Sequence, residues 1–179
     1  AALRERLDRT LVIVAPDEAR ARDLRLAMEF FEPSSTLLEP VAGFWPLDHS
    51  PFSGMSPSRA LVMDRVGTLF RLVHGLGVRA LIVPAPALLD RVPPRSALEE
   101  QAWLVMAGDS LDRDGLLGFL ANTGYHSVPQ VEDPGTFAVR GGIVDVFSPM
   151  FELPLRIDLW GDEVESIRLF DPSTQRTID

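Results

Sequence analysis

The stretch Thr136–Phe170, TFAVRGGIVDVFSPMFELPLRIDLWGDEVESIRLF, decides how the rest of the chain is read. Within it, Leu155–Trp160 alternates residue by residue: Leu155, Ile157 and Leu159 on one side, Arg156, Asp158 and Trp160 on the other. Period-two alternation marks a strand with one face buried and one wet. Gly161-Asp162-Glu163 then turns the chain into a second apolar-rich run, Val164–Phe170. A three-residue loop sets Ile157 opposite Ile167 and Leu155 opposite Leu169, whereas a two-residue loop sets Ile157 opposite Ser166 and Leu155 opposite Arg168. A one-residue slip would carry the apolar set to the wet face, so the longer loop is expected, with a bulge at Gly161. The preceding strand adds Arg140 just before Gly141-Gly142. Glycines inside a strand mark a bulge or a close backbone approach, and a simple twist is the plainer account.

Trp beside Arg on an exposed sheet face is the composition of an interface hot spot. The plainer alternative folds Trp160 over the sheet edge and leaves the arginines as solubilising groups. On the first reading Arg140, Arg156 and Trp160 project from one β-surface, free of internal contacts. The guanidiniums would meet carboxylates on a partner while the indole fills an apolar depression, and Asp145 or Asp158 would hold an Arg in its docking rotamer.

With 179 residues, 46% of them apolar, the chain can build one large or two small cores. A formal net charge of −9 repels phosphate backbones and argues against an extended nucleic-acid surface. All seventeen basic residues are Arg, the better interface cation. There is no Cys, hence no disulfide and no thiolate metal site, in keeping with a reducing cytoplasm. No apolar run reaches membrane-spanning length and no signal peptide is present. The missing initiator Met and helix-like opening are expected of a piece of a longer protein.

Taken in order, Ala1–Arg9 reads as the end of a helix and Thr10–Ala15, TLVIVA, as a strand buried on both faces. Asp17 is a plausible N-cap for a helix with Ala21, Leu24, Met28 and Phe31 at helical spacing, ended by Pro33. A short strand at Thr36–Glu39 precedes an irregular Pro/Gly/Ser-rich stretch, 40–57. Its aromatics Phe44, Trp45 and Phe52 are expected to pack on the core. Ser58–Leu76 reads as a helix with the stripe Leu61, Arg65, Leu69 and Leu72, Val78–Val83 as a buried strand, and Pro86–Asp90 as one helical turn. Strands alternating with helices argue for a parallel sheet. Composition shifts near Pro93–Glu100. Beyond it come a strand at Ala102–Ala107, a helix at Asp112–Asn122 with Gly124 as C-cap, a strand at Tyr125–Pro129, and the meander above. The expected fold class is α/β plus α+β: a partial parallel α/β domain over 1–98, then a small antiparallel-sheet domain with one helix over 99–179.

Catalytic signatures are missing. A P-loop ends in Lys because that side chain reaches the terminal phosphates, and this chain has none. Asp162-Glu163 superficially resembles a Walker B pair, but Gly161 ahead of it makes a turn the better account. His49, His74 and His126 lack the i, i+4 spacing of a metal-binding helix, and no Ser lies in a GxSxG elbow. Asp112 and Asp114 suit a helix N-terminus. No catalytic residue, cofactor or metal is expected in this chain.

Several long strings then point to a family. RGGIVDVFSP and ELPLRIDLWGDEVESIRLFDPSTQRT, with WPLDHSPFSGMSPSRALVMDRVGTLFRL and LIVPAPALLDRVPPRSALEE upstream, resemble the UvrB-like N-terminal module of the bacterial transcription-repair coupling factors. The resemblance implies that 1–98 is half of a helicase-like nucleotide-binding domain with its P-loop position lost. It implies that 99–179 docks onto UvrA, the damage-recognition subunit of nucleotide excision repair. The family's contact residues are an Arg before a small pair, an Arg in the following hairpin and an aromatic four positions on. Those positions hold Arg140, Arg156 and Trp160, the last often Phe in the family. The parent would be a cytoplasmic ATP-dependent DNA translocase that removes stalled RNA polymerase, binding ATP, Mg, DNA and polymerase through regions not present here. The runner-up is the N-terminal part of UvrB, whose first domain carries a Tyr-rich hairpin; Trp45–Leu72 contains no Tyr, which favours the coupling factors. A domain that only packs against its own chain is the third alternative.

Overall fold

The protein is described by a computed structural model covering residues 9–31, 38, 40–49, 52–100 and 102–178. The helix end expected at Ala1–Arg9 and the strand at Thr36–Glu39 lie, but for Arg9 and Leu38, outside the described residues. The chain divides into two compact units between Glu100 and Gln101.

In the first unit, β1 (Leu11–Ala15), β2 (Val41–Gly43) and β3 (Ala80–Pro84) form a parallel sheet in the order β1-β3-β2. The central strand, with a parallel partner on each side, is buried along its whole length, whereas β1, expected to be buried on both faces, is an edge strand with Val12 and Val14 more than half exposed. Helix α1 (Glu18–Phe31) packs Ala21, Leu24 and Met28 with Ala15, Val41 and Ile82. Asp17 accepts from Arg20 N at 2.8 Å, the N-cap bond anticipated from sequence. Helix α2 (Arg59–Val73) sends Leu69 and Leu72 against Phe44, Leu81 and Val83. It stops three residues early, because Gly75 and Gly77 turn at φ +66° and +69°. A 3₁₀ turn, Ala85–Leu89, and α3 (Arg95–Glu100) follow.

Arg65, the charged member of the α2 stripe, is buried rather than wet. Its guanidinium lies 4.1 Å from the centre of the Phe44 ring, donates to the Trp45 carbonyl and pairs with Asp90 at 2.9 Å. Asp90 also accepts from Leu47 N at 2.9 Å. One ion pair thus ties the irregular 44–47 segment to α2 and to the 3₁₀ turn. Phe44 and Trp45 are core residues as expected, whereas Phe52 is 97% exposed and does not pack on that core.

The second unit holds α4 (Arg113–Asn122), capped by Asp112 accepting from Gly115 N at 3.1 Å. Its sheet runs β4-β5-β6-β7-β8: His126–Ser127, Thr136–Arg140, Ile143–Val146, Leu155–Trp160 and Glu163–Leu169. The β5 to β8 meander is antiparallel, but β4 joins β5 in parallel, so the sheet is mixed rather than purely antiparallel. Leu116 and Leu120 of α4 pack with Phe137, Val144, Ile157 and Val164 of one sheet face. Residues 102–106 form no strand: Asp109 caps a turn by accepting from Met106 N. Gly108 N and Leu111 N donate to the carbonyls of Val164 and Asp162, and Ile178 N donates to that of Leu169.

The hairpin pairs Ile157 with Ile167 and Leu155 with Leu169, as the apolar pattern demands. Its tip, however, is the two-residue turn Gly161-Asp162, with Trp160 facing Glu163. The extra residue is Glu165, bulged where the register shifts between Asp158 and Leu159, not at Gly161. Gly141-Gly142 likewise forms the β5–β6 turn and is not within a strand. Gly141 takes φ +61°, and a Cβ on Gly142 would meet the Leu159 carbonyl at 2.7 Å.

Asp90→Ala strands Arg65 inside the first unit and is expected to destabilise it by about 3 kcal/mol, the scale of a broken buried pair. Urea unfolding followed by circular dichroism measures this, and an unchanged midpoint would refute the role given to the pair.

Candidate docking face

Cross-strand register puts Arg140, Ile143 and Asp158 in one row of the second sheet, with Arg156 and Trp160 two residues to either side of Asp158. Residues in register share a face, so the three anticipated residues lie on the same surface, opposite the one covered by α4. Their environments differ sharply. Trp160, beside the hairpin tip, is 80% exposed, which removes the alternative of an indole folded over the sheet edge.

Arg156 is not free of internal contacts. It faces Asp145 in register and bonds it through both branches of the guanidinium, Nε to Oδ1 at 2.8 Å and Nη2 to Oδ2 at 2.9 Å. Its Nη1 donates to the Gln175 carbonyl at 3.2 Å, and its Cζ lies 4.6 Å from the centre of the Phe170 ring. Only 14% of its side chain is exposed. The Asp145 bonds, the largest influence, raise the guanidinium pKa above its ordinary value, against a smaller opposing effect of burial. Asp145 itself is almost wholly buried, and a fork of two parallel N–H donors is the geometry that best compensates a buried carboxylate. Of the two acidic residues considered from sequence, it is Asp145 that holds an Arg of the proposed triad.

Arg140 is half exposed and reaches the same carboxylate at 3.5 Å, while its Nη2 donates to Gln175 Oε1 at 3.3 Å. Asp158 accepts from Arg168 Nη2 at 2.6 Å and from Ser166 Oγ at 2.9 Å. Burial pushes the Asp158 pKa up, but these bonds and the charges of Arg168 and Arg156 together hold it below the ordinary value. Asp145, Arg156 and Arg168 thus share one cross-strand row and Asp158 stands in the next, and the like-charged pair Arg156/Arg168, directly opposite in register, is accommodated by giving each its own carboxylate. Residues 101–179 carry thirteen Asp and Glu against five Arg, and three of those five stand on this one face. The sequence pattern missed Gln175 altogether, since nothing local links it to a strand two hairpins away.

Among the described residues no group of His, Cys, Asp and Glu could hold a metal ion, and no helix is long and apolar enough to cross a membrane.

Because the Asp158 pKa is lowered on folding, its stabilising effect is present above the ordinary value of 3.8 and is lost as the pH falls through the folded value. Asp158→Asn should therefore lower the thermal midpoint at neutral pH and flatten its fall on acidification below that value. Parallel melts of the two proteins across this range test it.

Residues 104–179 match the UvrB interaction domain family. The chain is 42% identical over 171 residues to the transcription-repair-coupling factor of Myxococcus xanthus, covering 94% of this chain and 14% of the relative. It is 36% identical over 180 residues to that of Escherichia coli, covering 100% and 15%. With that of Bacillus subtilis the identity is 33% over 148 residues, covering 83% and 12%. The chain thus spans about one-seventh of the length of these relatives.

Proposed function

From the premise that this chain belongs to the transcription-repair coupling factors, with a UvrB interaction domain over 104–179, we propose that it is the segment that recruits UvrA to lesions where RNA polymerase has stalled. The observation that carries this reading is Trp160: a large indole, four-fifths exposed, on the sheet face where three of this acidic domain's five arginines stand. Trp and Arg are among the residue types most enriched at interface hot spots.

The contact works through unequal partners. Trp160 is the apolar anchor. Arg140 is the cation with donors left for a carboxylate on UvrA. Arg156 acts from behind, keeping Asp145 neutralised and the surface in shape. On this reading the first unit is a helicase-like α/β half without a P-loop. ATP, Mg, DNA and RNA polymerase are engaged by other regions of a cytoplasmic parent protein, and this segment has no catalytic role or cofactor of its own.

Trp160→Ala should weaken UvrA binding by about 2 kcal/mol or more, roughly thirtyfold at 25 °C. The variant should unfold like the parent chain, because the removed ring packs on nothing essential. Isothermal titration of purified UvrA measures the loss, and equal affinities for the two proteins would sink the assignment of this face.

A further inference from the structure

Among the described residues Gln175 is the sole non-glycine with a positive φ, at +60°. A side chain in that region costs on the order of 1 kcal/mol, and such residues persist where the surroundings over-determine them. The surroundings here are specific. Gln175 N donates to the Asp171 carbonyl at 2.7 Å. Its Nε2 donates to the carbonyls of Val131 at 3.0 Å and Pro172 at 2.7 Å. Its Oε1 accepts from Arg140, and its main-chain carbonyl accepts from Arg156. Asp171 Oδ1 completes the loop by accepting from the backbone and hydroxyl of Ser173.

This arrangement fixes the amide without ambiguity. Two carbonyl oxygens face the nitrogen and a guanidinium faces the oxygen, so the opposite orientation would set like against like at every contact. It also fixes the residue type. Glycine accepts the φ but offers no amide; glutamate keeps the acceptor for Arg140 but turns a carboxylate oxygen toward two carbonyls; alanine has neither amide nor an easy φ.

We propose that Gln175 is a positioning residue of the docking face: with Asp145 it clamps Arg140 and Arg156 from the loop side, so that the guanidiniums are ordered before any partner arrives. This deepens the UvrA-docking reading and rests on it. The advantage is entropic, because a rotamer-rich side chain that must be ordered on binding costs about 0.5–1.5 kcal/mol.

The experiment uses Gln175→Gly, which keeps the backbone geometry and deletes only the amide. In nitrogen-15 spectra of the free chain, the Arg140 Nη–H and Arg156 Nε–H signals are expected to be dispersed and slowly exchanging. In the variant the Arg140 signal should collapse toward its solvent-averaged position while sheet amides stay in place. UvrA affinity should fall roughly fivefold, the scale of freeing one such side chain, because Arg156 keeps its bonds to Asp145 and to the main-chain carbonyl of residue 175. In an Arg140→Ala background the same change should cost much less affinity, although its effect on the melting temperature persists. An unmoved Arg140 signal, or affinity losses that simply add, overturns the positioning role. Should Arg140→Ala and Trp160→Ala both bind UvrA like the parent chain, the docking reading itself fails, and the Arg140 signal still decides whether Gln175 orders that side chain.

Discussion

A single buried carboxylate governs the second unit. Asp145 sits on the middle of three adjacent strands with almost no exposure, and an ionised carboxylate in that position is tolerable only if compensated by matched donors. The compensation comes from Arg156, directly across the ladder, with both of its donor branches engaged. That pairing forbids any slip between β6 and β7, draws Arg140 toward the same oxygens, and leaves one guanidinium nitrogen for the loop after β8. Ammonium could not substitute, because a point charge lacks the planar two-pronged fit.

The first unit solves a similar problem the same way. Arg65 lies over the Phe44 ring with Asp90 at its edge, as Arg156 lies over the Phe170 ring with Asp145 at its edge. In both places a guanidinium stacks its weakly hydrated face on an aromatic ring and satisfies its rim with oxygen acceptors. A chain whose basic residues are all Arg can therefore place cations where Lys would be hard to desolvate. These two arginines are internal fasteners, while Arg140 and Arg168 remain about half in water.

What could be read from sequence follows from what is local. The β7–β8 pairing was legible because period-two alternation admits only one register with Leu155 and Ile157 inside; the turn was not, because a bulge at Glu165 restores the same register from a shorter tip. Residues 102–106 are apolar enough to suggest a strand, yet the backbone groups that follow them cap the β8 edge instead. The partnership of Arg156 with Asp145 requires two hairpins to be in register, and that of Arg140 with Gln175 spans thirty-five positions, so neither leaves a mark in a short window. Alternation alone identifies Trp160 as an exposed aromatic, whereas Phe52 stands in a segment with no period to read, and the ring expected in the core is at the surface.

The turn 107–111 and the final segment 177–178 hydrogen-bond to the two ends of β8, the strand at one border of the five-stranded sheet. A border strand with its amides and carbonyls unclaimed is a template for any passing β-segment, including that of an identical molecule. Here both ends of that border are already occupied by the chain itself. Stacking of copies through this border is thereby discouraged, and a partner meeting the sheet at β8 reads side chains more readily than it adds a strand.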